Sequence, residues 1–482
     1  MYFNSLTYAI FLPIVFSLYW FVFGRNLKWQ NLFVLVASYV FYGWWDWRFL
    51  LLIALTSFCS FWSGILIDKY RDDKKKANLI NAANIILNLG ILGLFKYYNF
   101  FAASFANLFL GGHSDKLLMH LILPVGISFY TFQALSYTID VHRGKIEPTR
   151  DIVRFFAYVS FFPQLVAGPI ERASNLLPQF ARKRVFDPAQ ATDGLRLILW
   201  GLFKKVVVAD QCARYVDQVF SQQASLPGGT LILGVVLFTF QIYGDFSGYS
   251  DIAIGTSKLF GIKLMTNFRT PYFSRNIKEF WQRWHISLTT WLRDYVYFPL
   301  GGSRCSKAKA IRNNYIVFIL CGLWHGASWT YIAWGVYFGT LAGISILYGK
   351  GHNYKDTVAQ GKLFPSLKEV GLILWMNILN CLGSVFFRSG NIGDAWRYFL
   401  GFFNWKGQFS GSGVMTPSQM TAIFAGSLVM FGIEWLNREK EHGLVMDGVK
   451  SRPLRWAIYL VLMISVLLFF DDGTSPFVYF QF

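Results

Sequence analysis

The chain has 482 residues, of which 54% are hydrophobic, 19% aromatic and only 15% charged, where soluble domains carry roughly 25% charged residues. The net charge of +19 would suit nucleic acid, but the basic residues come in bursts between apolar runs, as in Asp68–Lys76, Arg182–Arg184 and Arg304–Arg312. That is the pattern of cytoplasmic loops, not a continuous polyanion-binding face, so nucleic-acid binding is excluded and the partner surface is the lipid bilayer.

Runs such as Leu6–Phe23, Phe49–Ile67, Leu117–Ile139 and Trp456–Phe470 are nearly free of charge. A helix that crosses hydrocarbon needs about 20 such residues. No Lys or Arg precedes Arg25, so Leu6–Phe23 lacks the basic start of a signal peptide and is expected to stay as the first span. Arg25 and Lys28 follow it, which places the N-terminus outside. The next helix, over about 30–45, goes out, and 49–67 returns to the charged Asp68–Lys76 loop. The apolar stretch 79–110 then leads to a weakly charged loop, Gly111–Lys116, on the outside. Leu117–Ile139 comes back to His142–Arg154, which is basic.

Phe155–Ala167 is too short for a span and ends at Gly168-Pro169, which suits a re-entrant segment shielded by protein. Glu171–Arg184 is basic and therefore inside, whereas Ser221–Gly229 has no basic residue and lies outside. The centre, 244–312, is long, aromatic and charged, with no clear span. Within it Trp281, Trp284, His285, Leu288, Trp291, Leu292 and Tyr295 recur at helical spacing opposite Gln282, Arg283, Ser287, Arg293 and Asp294, which predicts an amphipathic helix. Asn314–Tyr348 is too long for one span: its roughly 35 residues would cover about 52 Å against about 30 Å of hydrocarbon. Its flanks are both basic (Lys350, Lys355 and Lys362 on the far side), so the stretch reads as a pair of short or broken helices that enter and leave the same side, with their vertex at Trp324–Ser328. Three or so further spans follow. Residues 1–482 show no internal repeat or soluble domain and read as a single domain.

His325 is the most informative residue. Thirteen residues beyond Arg312, it sits about 20 Å along a helix, near mid-membrane, where an ionisable group is expensive and a functional candidate by default. Histidine takes up a proton near neutral pH and can serve as a general base toward a hydroxyl. Gly322, Gly326 and Ala327 keep its surroundings small, as close approach of a substrate would require. A helix-packing histidine bonded to a carbonyl fits the same residue. His285, between Trp284 and Ile286, reads more simply as an interfacial or core histidine. Tyr243–Asp251 directly follows an apolar run; Asp245, Ser247, Tyr249 and Asp251, with Gly244 and Gly248, predict a break between helices that offers polar groups to a ligand or forms a self-bonded polar elbow. The five cysteines match no metal site, and nucleophile-elbow, phosphate-loop and zinc-helix motifs are absent.

The runs Tyr243–Gly255, Phe280–Leu288, Trp291–Gly302 and Trp324–Gly326 together resemble the membrane-bound O-acyltransferase family in content and order. The opening Met1–Leu6 and the closing Ser475–Phe482 resemble its alginate O-acetyltransferase branch. The resemblance implies an all-α polytopic fold of about ten to twelve spanning or re-entrant helices around a thin centre with a funnel from each face. It puts the family's essential histidine on His325 and its second on His285, with Asp245, Ser247, Tyr249, Asp251, Trp281, Arg283, Trp284, Arg293 and Trp324 as substrate-binding candidates. It further implies a bacterial inner-membrane acetyltransferase with no permanently bound cofactor, whose donor is acetyl-CoA or another acyl thioester. Arg283, Arg293 and Lys307 would attract the donor's phosphates. The acceptor would be a periplasmic acetyltransferase partner that modifies an exported polysaccharide such as alginate. D-alanyl transfer and peptidoglycan O-acetylation fit the same scheme. A transporter whose path is lined by His325, Asp245 and Asp251 is the alternative of a different class.

Overall fold

The computed structural model describes residues 1–111, 117–349, 353–354, 356–405, 414–471 and 477–478, and every regular element among them is helical. The expected outer loop Gly111–Lys116, the basic flank at Lys350 and Lys355 and the closing run Ser475–Phe482 fall largely outside these residues. The helices in chain order are α1 Leu6–Ser17, α2 Leu27–Gly43, α3 Arg48–Lys69, α4 Lys74–Leu92, α5 Tyr98–Phe109, α6 Ile127–His142, α7 Ile152–Ser160, α8 Phe162–Leu165, α9 Ala173–Ala181 and α10 Pro188–Leu202. They continue as α11 Asp210–Ser221, α12 Gly228–Leu259, α13 Ile277–Arg283, α14 Ile286–Leu292, α15 Lys307–His325, α16 Trp329–Tyr348, α17 Leu367–Arg388, α18 Ile392–Gly401, α19 Pro417–Leu436 and α20 Arg452–Phe469.

Seven of the described helical stretches are long and apolar enough to cross a membrane: α3, Lys74–Phe109 (α4 and α5 joined by a π turn), α12, α16, α17, α19 and α20. Their exposed faces say what surrounds them. In α20 only 11% of the most apolar window is buried, with Leu460, Val461, Ile464, Leu467 and Leu468 all exposed. An apolar surface of that extent fits lipid, not water. The chain is a multi-pass membrane protein. Local sequence fixes the starts of these helices. Asp73 accepts from Lys76 N before α4, Ser366 and Glu369 form a capping box on α17, and Thr416 and Gln419 form another on α19, with Pro417 at its first position.

The contacts divide the chain into two compact units, Met1–Leu195 with Ala253–Met265, and Arg196–Ile252 with Thr266–Phe482. In the first, α3, α4 and α6 meet around buried amides and hydroxyls: Asn84 Nδ2 donates to Thr138 Oγ1 at 3.0 Å, and Asn88 Nδ2 donates to Asn84 Oδ1 at 3.2 Å. Tyr8 and Thr256 share a hydroxyl hydrogen bond at 2.7 Å, and Tyr19 donates to Phe260 O at 2.8 Å. The Glu171 carboxylate is fully buried and accepts from Met265 N and from Asn175 Nδ2; burial pushes its pKa up to about 7. The run Leu117–Ile139 does not form a span. Its helix, α6, starts only at Ile127, after Pro124 and a left-handed Gly126, and is buried nearly all round. Phe155–Ala167 forms no helix long enough to span, and it divides at Phe161 into the end of α7 and the short α8.

In the second unit, α15 and α16 pack as an antiparallel hairpin with its vertex at Gly326–Ser328, matching the expectation for Asn314–Tyr348. Two expectations for the centre fail. Tyr243–Asp251 is not a break: it lies inside the continuous 32-residue α12. Gly244 and Gly248 are there for packing, since a Cβ would come within 2.9 Å of Lys204 O and 2.7 Å of Gly201 O respectively. Small residues four apart let two helical backbones approach, so the glycines that read as a hinge serve a seam. The amphipathic run from Trp281 to Tyr295 is not one helix either. It breaks at Trp284 and His285 into α13 and α14, followed by a π turn over Arg293–Tyr297.

The α15–α16 hairpin is equally tight. A Cβ on Gly335 would collide with Phe318 O and come within 3.0 Å of Ile319 Cα, whereas one on Gly343 would make an ordinary 3.5 Å contact. Gly335→Val is therefore expected to cost at least 1–3 kcal/mol, roughly the price of overpacking a dense interior, and Gly343→Ala very little. Detergent-extracted abundance and thermal midpoint measure both; equal stability of the two variants would contradict the seam.

Candidate active site

α15 ends at His325 because Gly326 turns to extended backbone (φ −167°, ψ 156°), and α16 restarts under a Ser328 cap that accepts from Thr330 N at 3.3 Å. The small residues at this vertex do not clear a path for substrate. A Cβ on Gly326 would meet the Tyr331 ring and one on Gly322 the Tyr331 carbonyl, so the space they leave is already filled by Tyr331.

His325 is 3% exposed. Its ring centroid lies 5.2 Å from that of Trp334 and 5.1 Å from that of Phe387, both edge-on, and its Nε2 is 3.9 Å from Cys321 Sγ one turn earlier. A narrow cavity of about 20 Å³ borders it, lined also by Trp281, Trp284, Trp334, Phe338, Asn380 and Ser384. That is room for roughly one water-sized group. His285 is 1% exposed, and its ring centroid stands 6.2 Å from that of His325. Trp324 packs against both, at 5.2 Å from His285 and 5.1 Å from His325, and Phe246 of α12 closes on His285 at 4.6 Å. His285 occupies the left-handed region (φ 45°, ψ 51°). For a residue with a Cβ this costs about 1–3 kcal/mol and persists only where the surroundings enforce it.

The structure thus gathers His325, His285, Trp324, Trp281 and Trp284, which the sequence spreads over about 45 residues. The remaining candidates go elsewhere. Asp245 is ion-paired to Lys205 at 2.6 Å and accepts from Val478 N at 2.8 Å; Tyr249 packs on Phe477 at 4.7 Å; Ser247 is fully buried in α12. Asp251 is paired with Lys204 at 2.7 Å. Arg283 is bound to Glu279 at 2.9 Å and is mostly buried. Arg293 bonds Asp294 at 2.7 Å and presents about half its side chain to solvent, at 51% exposure. Among the described residues no group of three or more His, Cys, Asp or Glu could hold a metal ion.

Sequence reasoning missed the lysine pair that holds these acids. Lys204 and Lys205 sit on a π turn, Phe203–Ala209, within an apolar run. Lys204 reaches Asp251 and Glu434 (3.6 Å), and Lys205 reaches Asp245 and Asp210 (2.8 Å). Ionisable side chains in an apolar stretch were the available signal. Trp334 and Phe387 carried none, being two among 18 Trp and 49 Phe.

The model of the membrane-bound O-acyltransferase family matches residues 148–341, the stretch that holds both histidines. The probable alginate O-acetylase AlgI of Pseudomonas aeruginosa is 38% identical over 87% of this chain and 78% of its own length. That of Pseudomonas putida is 36% identical over 98% of each chain. The peptidoglycan O-acetyltransferase of Helicobacter pylori is 32% identical over 98% of this chain and 95% of its own. The chain belongs to the membrane-bound O-acyltransferase family. It is an O-acyltransferase, not the transporter that the intramembrane charges alone would allow.

The lysine pair offers a test of how the site region is held. Removing one partner of a buried ion pair leaves the other charge stranded, at about 3–5 kcal/mol. Lys204→Met, which strands Asp251 and Glu434, is expected to lower the thermal midpoint sharply. Lys204→Met combined with Asp251→Asn should be milder. A single variant as stable as the parent would show that the network carries no net charge to strand.

Proposed function

We propose that this protein passes an acetyl group from acetyl-CoA, a cytoplasmic thioester, across the bacterial inner membrane to a periplasmic acetyltransferase partner, for O-acetylation of an exported polysaccharide of the alginate kind. The observation that carries the reading is the pair of buried histidines, ring centroids 6.2 Å apart, with a narrow cavity bordering His325. The space holds about one water, so even a two-carbon acyl group needs the ring of Trp281 or Trp334 to shift, and a lipid chain would need far more. The names of the Pseudomonas relatives, one of them matched over 98% of both chains, support the polymer. The Helicobacter relative supports a second acceptor, peptidoglycan, reached by the same chemistry.

In this mechanism His325 takes the proton of the acceptor hydroxyl as its oxygen attacks the thioester carbonyl. The new C–O bond forms, the C–S bond breaks, and the thiol leaves with the proton that His325 held. His285 supports the step from the facing side, where a hydrogen bond to the developing oxyanion would be worth most in a dry site. Arg293 and Lys307 draw the donor's phosphates toward the cytoplasmic face, and Arg283, paired with Glu279, adds less.

His325→Ala is expected to abolish acetylation at near-normal membrane abundance, because a general base is worth roughly 10²–10⁴-fold in rate while deleting a buried polar group relieves desolvation. His325→Gln keeps hydrogen bonding but takes up no proton near neutral pH, and should be as inactive. Polymer O-acetyl content per unit of inserted protein measures both. Wild-type acetylation by His325→Gln would sink the general-base assignment.

Orientation has its own test. A reporter fused after Asp73 or after Lys307 should read cytoplasmic, and one inserted at Ser225 periplasmic, with the N-terminus outside. A periplasmic signal at Lys307 would move the donor entrance to the wrong face.

A further inference from the structure

The turn that carries His285 is held largely by one side chain. Asn267 is fully buried in the segment that precedes the Pro271–Phe273 turn. Its backbone carbonyl accepts from Ile286 N at 2.9 Å. Its Oδ1 accepts from Ser287 Oγ at 2.7 Å and from Ser287 N at 3.3 Å, and its Nδ2 donates to Ser250 Oγ of α12 at 3.1 Å. Two residues on, Arg269 N donates to Arg283 O at 3.0 Å, so residues 267–269 run alongside the break and bond to the chain on both sides of it. Ser250 is one helical turn from Phe246, whose ring packs on His285.

These bonds fall on the two backbone N–H groups that open α14. The first amides of a helix have no partner within it, and the residue before the helix ordinarily supplies one from its side chain. Here that residue is His285, and its side chain makes no capping bond. Asn267 does the capping from outside, so the imidazole is not spent on its own helix and the left-handed turn is held on both sides.

We infer that Asn267 is a positioning residue of the transfer reaction: it fixes the turn at His285 and so sets that ring against His325. The inference rests on His285 belonging to the transfer site. Its test is a cycle of Asn267→Ala, His285→Ala and the pair. Polymer acetylation is scored in cells at equal membrane abundance, and turnover and donor KM are scored in inside-out vesicles with labelled acetyl-CoA. Asn267→Ala should lower turnover by about 10²-fold, the scale of a misplacement near 1 Å, with donor KM changed by less than about threefold. The pair should be no worse than His285→Ala alone, and Asn267→Asp, which keeps the oxygen that Ser287 uses, should recover most of the loss.

Where Asn267→Ala fails to accumulate, Ser287→Ala removes only the 2.7 Å bond and should still lower turnover about tenfold. Losses that multiply in the pair, a loss accounted for by abundance alone, or wild-type turnover in Ser287→Ala would each overturn the inference. An impaired His285→Ala beside a normal Asn267→Ala overturns it while leaving the site intact, whereas a fully active His285→Ala removes the site reading as well. Vesicles in which the parent moves no label would refute acetyl-CoA as donor, and the cellular cycle would then decide the matter.

Discussion

In hydrocarbon a backbone amide or carbonyl without a partner has no water to turn to, at several kcal/mol each. A membrane enzyme that breaks a helix away from its two surfaces must therefore repair every break. Both histidines of the candidate site stand at such breaks. His325 closes α15, where Gly326 turns and Ser328 starts the next helix. His285 stands between α13 and α14, where Asn267 and Ser287 take up the opened backbone. The histidines are thus where the chain can afford to leave regular structure, and the neighbouring polar residues are the cost of leaving it.

That constraint also sorts what could be read in the sequence. Several spans were legible from run length, though Leu117–Ile139 was not one, and the hairpin vertex at Trp324–Ser328 from arithmetic: a stretch too long to cross once, with basic flanks on both sides. The two histidines stood out through motif resemblance more than through spacing. Tyr243–Asp251 misled because glycine is ambiguous between a hinge and a seam. Its role at Gly244 and Gly248 depends on Gly201 and Lys204, some 40 residues earlier, which no local pattern reveals. The helix through Trp281–Tyr295 misled for the opposite reason. Its periodicity is real, but one left-handed residue interrupts it, and although histidine is enriched in that conformation, only a few per cent of non-glycine residues adopt it. The aromatic lining was invisible because Trp, Tyr and Phe are everywhere in this chain.

The buried charges follow the same logic on a different scale. α12 carries Asp245 and Asp251 through a segment that is 78% buried, and neither is tolerable there alone. Lys204 and Lys205 answer them from a π turn, whose extra residue per turn alters the register by which side chains leave a helix. Consecutive residues on a regular helix point about 100° apart, so two adjacent lysines would not ordinarily serve acids six residues apart on a neighbour. The irregular turn and the ion pairs are best understood as one feature.

Charge neutralised in this way also bears on the proposed chemistry. Acyl transfer by a histidine base needs surroundings dry enough that water does not compete for the thioester, yet polar enough to stabilise an oxyanion for an instant. The aromatic walls at Trp281, Trp334, Phe338 and Phe387 meet the first demand, and a cavity near one water in volume leaves little room for a stray nucleophile. With the carboxylates of α12 tied to lysines, the second demand in the proposed reaction would fall on the amide of Asn380 and the hydroxyl of Ser384, which line the cavity beside His325, and on His285, whose ring stands 6.2 Å from that of His325. Asp245 and Asp251 do not line that cavity, but an unpaired carboxylate on α12, whose Phe246 ring packs on His285, would still disfavour an oxyanion nearby. Sequestering Asp245 and Asp251 in ion pairs is thus what lets a polar helix run beside the reaction without opposing it.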